Sequence, residues 1–310
     1  MRTVKAINYD SFGGADVLRV GERDLGELRP KDVRIKVAYS ALNRADLLQV
    51  AGKYPNQKAP LPLGLEAAGE IESVGENVQG LKVGDRVMAL LNGGGYAEMQ
   101  RKELRSQRLS CLAYQLLHWV GTTQEGAKVL IHGAGSGVGT SAIQLAKLNK
   151  NSIYATAGAE SKLEKATELG AIKTLNYKEN DFGEEWKAEK IDVILDCVGG
   201  DYWRKNMKVL GMDGIIVLYG LMGGVNVDGP LLAMILGKRA QIRGTTLMSR
   251  SEEYKTKLVS EFWNKNKSHF VDGSMSPVID SIYDMTDVAE AHKYMATNKS
   301  NGKILLKMNL

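Results

Sequence analysis

The chain has 310 residues, of which 44% are hydrophobic and 25% charged, with 34 glycines and a formal net charge of +5. That length allows two domains with cores of their own, and the composition is that of a globular protein, not of a disordered or fibrous one. The basic residues are interspersed with acidic ones, which suits a small phosphate-bearing ligand and argues against nucleic acid as a partner.

The opening residues, Met1 to Tyr9, read as a strand and lack the apolar core of a signal peptide. Up to about residue 100 the chain is a series of short strands. Val33–Ala38 alternates apolar and polar residues, Ala67–Gly75 and Lys82–Leu90 are bounded by glycines, and Gly93-Gly-Gly95 marks a turn. Ala41–Gln49 is short and helix-capable. Together these predict a small β-rich, barrel-like unit.

From about residue 113 strands and helices alternate, which predicts a parallel sheet. The expected strands are 128–133, Ser152–Ala157, Lys173–Asn176, Ile191–Cys197, Gly214–Gly220 and Ala240–Gly244. A helix at 138–149 follows the first. The next carries Ser161 and Glu164 at capping-box spacing and stops at Gly170. Six such strands favour a doubly wound dinucleotide-binding fold. Beyond 250 come a helix from Glu252 to about Asn266, a strand near 277–283, a helix at 286–297 and a last strand, Lys303–Lys307. The fold class is α/β, with domains at 1–112 and 113–250 and with residues 251–310 returning to the first.

The chemistry centres on Val129-Leu-Ile-His-Gly-Ala-Gly-Ser-Gly-Val-Gly139, an apolar run that stops in a glycine turn and passes into a helix. Glycines there let the backbone approach a pyrophosphate at the helix N-terminus. Gly135, Ser136, Gly137, Val138 and Gly139 are the candidate phosphate residues, although the alternating glycines also fit a plain structural turn. A fold that prefers NAD places Asp or Glu at the end of the second strand. Here that strand ends Ala157-Gly158-Ala159, which leaves room for a 2′-phosphate that Lys162 can neutralise. Tyr177 can lie against the adenosine end. NADPH is therefore expected over NADH.

The two cysteines, Cys111 and Cys197, support neither a disulfide framework nor an all-cysteine zinc site. The four histidines include no pair at ligand spacing, and Asp46 and Glu66 have no soft partner, so no metal is expected. No run approaches the ~20 apolar residues of a membrane span. A cytoplasmic protein without a membrane partner is expected. Asn43 and Tyr54 are the polar residues placed at the mouth of a reaction cleft. An amide can hold a nicotinamide or a ribose hydroxyl, and a phenol can hydrogen-bond an oxygen gaining charge, although a loop Asn is as readily turn chemistry.

Several segments resemble one family. Ala41-Leu-Asn-Arg-Ala-Asp46, Gly64-Leu-Glu-Ala-Ala-Gly69, Val83-Gly-Asp-Arg-Val87, Ser136–Ala146 and Asp196-Cys-Val-Gly-Gly200 are similar to the zinc-free, zeta-crystallin-like quinone oxidoreductases of the medium-chain dehydrogenase/reductase superfamily. Narrower matches at Asp201–Asn206, Leu218–Gly224, Gly229-Pro230 and Ala291–Met295 resemble its tumour-suppressor-inducible, oxidative-stress branch. The resemblance implies a GroES-like catalytic domain interrupted by a Rossmann domain, a homodimer through the Rossmann sheet edges, and NADPH-dependent reduction of quinones. It carries catalytic-cleft roles to Asn43 and Tyr54. Cofactor roles carry to Gly137, Val138, Gly139, Lys162, Tyr177, Tyr219, Leu221 and, at the nicotinamide end, Asn301. Asn43 and Leu65 stand where the zinc relatives have Cys and His.

One stretch departs from the pattern. Met99–Ala113 is shorter than the family's segment, is basic and lacks its proline, and Leu112 stands where a threonine is expected to face the nicotinamide. The short segment supports one other reading, an NADPH-binding protein with impaired catalysis, and the same fold also accommodates an enoyl-thioester reductase.

Overall fold

The structure is a computed structural model that describes residues 2–55, 57–103 and 111–308. In chain order the first elements are β1 (Thr3–Asn8), β2 (Arg19–Asp24), β3 (Asp32–Ala41), α1 (Arg44–Val50), β4 (Glu66–Val74), β5 (Arg86–Leu90) and β6 (Met99–Glu103). Next come α2 (Cys111–Tyr114), running into a π-helical turn at Gln115–Val120, then β7 (Lys128–His132), α3 (Gly137–Leu148), β8 (Ser152–Ala157), α4 (Glu160–Leu169) and β9 (Lys173–Asn176). They are followed by α5 (Phe182–Glu185), β10 (Ile191–Asp196), α6 (Trp203–Val209), β11 (Leu210–Leu218), α7 (Leu231–Lys238) and β12 (Gln241–Gly244). The chain closes with α8 (Glu252–Val271), β13 (Ile279–Asp284), α9 (Val288–Ala296) and β14 (Lys303–Lys307).

These elements form two compact units, one of Met1–Leu109, Glu252–Asn264 and Ile279–Leu310, the other of Ser110–Ser251 and Lys265–Val278. In the first, β1 and β2 pair antiparallel, and a mixed sheet runs β13-β14-β3-β4-β5 with β6 also on β3. Val33, Ile35 and Val37 of β3 are fully buried with Ile71, Ile304 and Leu306, as the alternating pattern requires. The second unit is a parallel sheet in the order β12-β11-β10-β7-β8-β9. Its central strand, with Val129, Leu130 and Ile131 all at 0% exposure, is buried on both faces, which is why it reads as an unbroken apolar run.

Four local expectations differ. The capping box at Ser161 and Glu164 is absent. The helix α4 starts at Glu160 behind Ala159, which makes no side-chain cap, because only Gly158 and Ala159 separate it from β8. Lys82–Asp85 is a turn and not strand: the Asp85 carboxylate accepts from the Lys82 N–H at 2.9 Å and the Asp85 N–H returns to the Lys82 carbonyl. Met99–Glu103, read as part of a link, is a strand paired with β3. The remainder of that link, residues 104–110, lies outside the described residues. Finally, α8 continues to Val271, and residues 265–278 belong to the second unit. There Gln144 of α3 exchanges two hydrogen bonds with the Ser276 backbone, at 3.0 and 2.9 Å.

Candidate functional site

In the second unit the strand order reverses between β7 and β10, and in such sheets ligands bind over the carboxyl ends of the strands at that point. β7 ends at His132, and Gly133 turns the chain with φ +67°, a conformation L side chains rarely adopt. The turn is pinned by Ser136 N–H to the Gly133 carbonyl at 2.9 Å and by Ala134 N–H to the Thr156 carbonyl at 3.0 Å. Ser136 caps α3, its hydroxyl accepting from the Gly139 N–H at 2.9 Å. Gly137 and Val138 are left in the first helical turn with N–H groups aimed out along the axis. A Cβ on Gly139 would fall 2.3 Å from the Gly133 carbonyl oxygen and 2.8 Å from that of Ala134. The helix thus sits against the strand end as closely as bare backbone permits, and Gly135 is buried within the turn. Gly133, the residue with the special φ, was not among the candidates. Its signal was a glycine directly after the apolar run.

At the end of β8 a Cβ on Gly158 would meet the Tyr177 hydroxyl at 2.7 Å and the Lys178 Cε at 2.9 Å. Tyr177 is 42% exposed and its ring stands edge-on to Tyr202 at 6.0 Å. Lys162 lies half-buried in the first turn of α4. Lys178 is a second cation at this strand end that the sequence reading did not single out. Across the switch point, Tyr219 N–H donates to the Asp196 carbonyl, Met222 N–H to Cys197 and Gly223 N–H to Val198, so the loops after β10 and β11 are knitted together. Burial, together with the neighbouring Cys197 thiol, holds the Tyr219 phenol protonated. Leu221 is exposed at the tip.

In the first unit, α1 ends in a Schellman turn, with Gly52 N–H to the Gln49 carbonyl and Lys53 N–H to that of Leu48. Tyr54 follows immediately, half-buried. Burial first, and the Asp46 charge second, raise its phenol pKa, so it is a neutral hydrogen-bond donor. Asn43 precedes α1. Its side-chain nitrogen donates to the Glu66 carboxylate at 2.9 Å and to the Ala41 carbonyl at 3.1 Å, while its oxygen accepts from Lys303 at 3.0 Å. Lys303 also contacts the Glu66 carboxylate and donates to the Leu42 carbonyl at 3.2 Å. Both amide hydrogens of Asn43 are therefore used inside the chain. Asn301 stands two residues before Lys303, its N–H on the Asp280 carboxylate at 2.6 Å.

Asp46 is fully buried beside this group and accepts from Asn43 N–H (2.7 Å), Gly64 N–H (3.2 Å) and the Tyr96 hydroxyl (3.1 Å). Burial pushes its pKa up to about 6 although those bonds and Lys303 favour the ionised form. Because the unfolded carboxyl titrates near 4, the folded state holds this proton more tightly, so its contribution to stability is full below about pH 4 and fades as pH rises through 6. The stability difference between wild type and Asp46→Asn is expected to change by about 2 kcal/mol between pH 4 and 7, as read by urea unfolding. A difference independent of pH would remove the buried, unfavourably ionised carboxylate from the description. Asp46 accepts from protein donors at both oxygens and Glu66 at Oε1, and among the described residues no group of three or more His, Cys, Asp or Glu is placed to hold a metal ion.

A β-rich unit followed by a parallel sheet with a glycine turn at its switch point defines the medium-chain dehydrogenase/reductase class of oxidoreductase. Residues 29–139 match the alcohol dehydrogenase GroES-like domain, and residues 137–264 match the family described as zinc-binding dehydrogenase. The quinone oxidoreductase of Lama guanicoe is 30% identical over 330 residues, covering 98% of each chain. A mouse synaptic vesicle membrane protein VAT-1 homolog-like is 27% identical over 98% of this chain and 81% of its own. The crystal structure of Escherichia coli quinone oxidoreductase complexed with NADPH superimposes with a TM-score of 0.86 at 24% identity, covering 98% of this chain and 100% of that one. The chain belongs to the quinone oxidoreductase family of this superfamily. The 330 aligned positions exceed the 310 residues present, so the llama relative carries at least 20 that have no counterpart here. No helix among the described residues is long and apolar enough to cross a membrane.

Proposed function

We propose that this oxidoreductase reduces quinones with NADPH. The observation that carries the cofactor reading is the glycine cradle. Gly139 admits no side chain against the Gly133 carbonyl, while free N–H groups at the start of α3 offer an anion its donors. At the β8 end Tyr177 would pack against the adenosine, and Lys162 and Lys178 would pair with a 2′-phosphate where an NAD-preferring fold has a carboxylate. Tyr219, Leu221 and Asn301 would serve the nicotinamide end. Bound NADPH supplies the hydride. Tyr54, neutral and half-buried, donates a hydrogen bond to the acceptor oxygen as it gains charge and can deliver its proton there. Asn43 acts as an acceptor only, for a ribose hydroxyl or an amide hydrogen, because Glu66 and Ala41 hold its own N–H groups.

The test is cofactor oxidation by the purified protein with an ortho-quinone or an enoyl thioester as acceptor. Rapid NADPH-specific turnover of the quinone supports the reading. Turnover of the thioester alone selects the enoyl reductase, and tight NADPH binding without turnover selects a binding protein. Lys162→Ala and Lys178→Ala are each expected to weaken NADPH about tenfold more than NADH, the scale of one lost charge-assisted pair. Equal losses for the two cofactors would remove these lysines from the 2′-phosphate.

A homodimer through the parallel sheet is part of the same proposal. Among the described residues β12 is an edge strand paired only with β11, and α7 buries no residue while Leu232 and Leu236 are 80% exposed. Leu232→Asp is expected to convert a sedimenting dimer to monomer. A variant that stays dimeric would place the contact elsewhere.

A further inference from the structure

A buried polar network lies beneath the glycine turn and takes no part in the chemistry above. His132, Thr156, Asp196 and Asn206 are each fully buried and come from β7, β8, β10 and α6. Thr156 Oγ1 is 2.7 Å from His132 Nδ1, His132 Nε2 is 2.8 Å from Asn206 Oδ1, and Asn206 Nδ2 donates to Asp196 Oδ2 at 3.0 Å. The donor directions follow from the carboxylate, which can only accept. Asn206 therefore donates with its nitrogen, its oxygen accepts from His132 Nε2–H, and Nδ1 accepts from the Thr156 hydroxyl. The imidazole is neutral, as its burial also demands, with a single tautomer, and the rings of Phe182 and Tyr202 close over it at 4.9 and 4.8 Å.

Both ends of this network reach backbone that lines the switch point. Thr156 accepts at its carbonyl from Ala134 N–H in the glycine turn, and the Cys197 thiol reaches the His132 carbonyl at 3.8 Å. Asp196 Oδ1 accepts from Val198 N–H at 2.7 Å and Gly199 N–H at 3.0 Å, shaping the loop after β10. A core of the same volume made from apolar side chains would need no such satisfied chain, since removing both partners of a buried bond can be nearly neutral. What the chain of bonds adds is a defined separation between the turn after β7 and the loop after β10.

We propose that His132 is a positioning residue for the dinucleotide, the spacer that keeps the phosphate turn and the 197–200 loop in register, so that one ligand can engage both. This rests on the NADPH reading above. The two can be tested together by titrating NADPH, which would span both sides, and adenosine 2′,5′-bisphosphate, which would engage only the β7–β8 side. His132→Phe keeps the ring but breaks both bonds, and it is expected to weaken NADPH about tenfold while adenosine 2′,5′-bisphosphate changes less than about twofold. Thr156→Val removes one donor isosterically and is expected to weaken NADPH about threefold with the same selectivity. If His132→Phe does not fold, Thr156→Val decides alone. Equal weakening of both ligands, or NADPH affinity unchanged while the melting temperature falls, overturns the positioning role. A wild-type protein that binds neither ligand overturns the dinucleotide reading itself, a result distinct from the other two.

Discussion

Gly139→Ala is expected to raise the dissociation constant for NADPH by on the order of a hundredfold, with a loss of about 1–3 kcal/mol in stability from overpacking. The added methyl would stand 2.3 Å from the Gly133 carbonyl oxygen and 2.8 Å from that of Ala134, both main-chain atoms that no rotamer change can move. Relief requires α3 to slide away from the end of β7. That displaces the Gly137 and Val138 N–H groups and weakens the Ser136 hydroxyl's hold on the Gly139 N–H. Fluorescence titration with NADPH, set beside a thermal melt, separates the two consequences. Affinity within a few-fold of wild type would mean that the turn is a packing device and that the dinucleotide lies elsewhere.

Lys303→Met is expected to cost about 3 kcal/mol in urea unfolding, because it leaves the Glu66 carboxylate without its cation in a nearly enclosed place. The side chains of Lys303 and Glu66 are 17% and 11% exposed. An exposed surface pair would be worth a fraction of that. The same substitution removes the Lys303 donor to the Asn43 side-chain oxygen, leaving the amide nitrogen held by Glu66 and Ala41. Lys303→Arg keeps the charge but not the compact ammonium that donates at once to Leu42, Asn43 and Glu66, and is expected to recover only part of the loss. A loss below about 1 kcal/mol for the methionine variant would show that water or a proton replaces the lysine at little cost.

The sequence by itself determined the architecture. Period-two alternation at Val33–Ala38, the unbroken apolar run at Val129–Ile131 and the regular exchange of strands with helices are local signals. Each reports which faces of an element are buried, and they suffice for a β-rich unit and a parallel sheet. They also located the glycine turn, since a strand, a glycine cluster and a helix start are contiguous in the chain. Helix and turn boundaries were less legible, as at Ala159 and Lys82–Asp85, because capping depends on how few residues the connection allows.

Only the tertiary structure decided what the polar side chains do. Lys303 lies 260 residues from Asn43, and Asn206 lies 74 from His132, so no spacing rule could pair them. Asn43 reads as a donor and acceptor until its two amide hydrogens are found on Glu66 and Ala41. Lys178 draws no notice in the sequence until its Cε is found beside Gly158 at the end of β8. Hydrogen-bonding capacity is finite and is allotted among whichever groups folding brings together. The pattern of apolar residues therefore sets the fold, while the remaining capacity of each polar group, and with it the chemistry, is settled only by the assembled core.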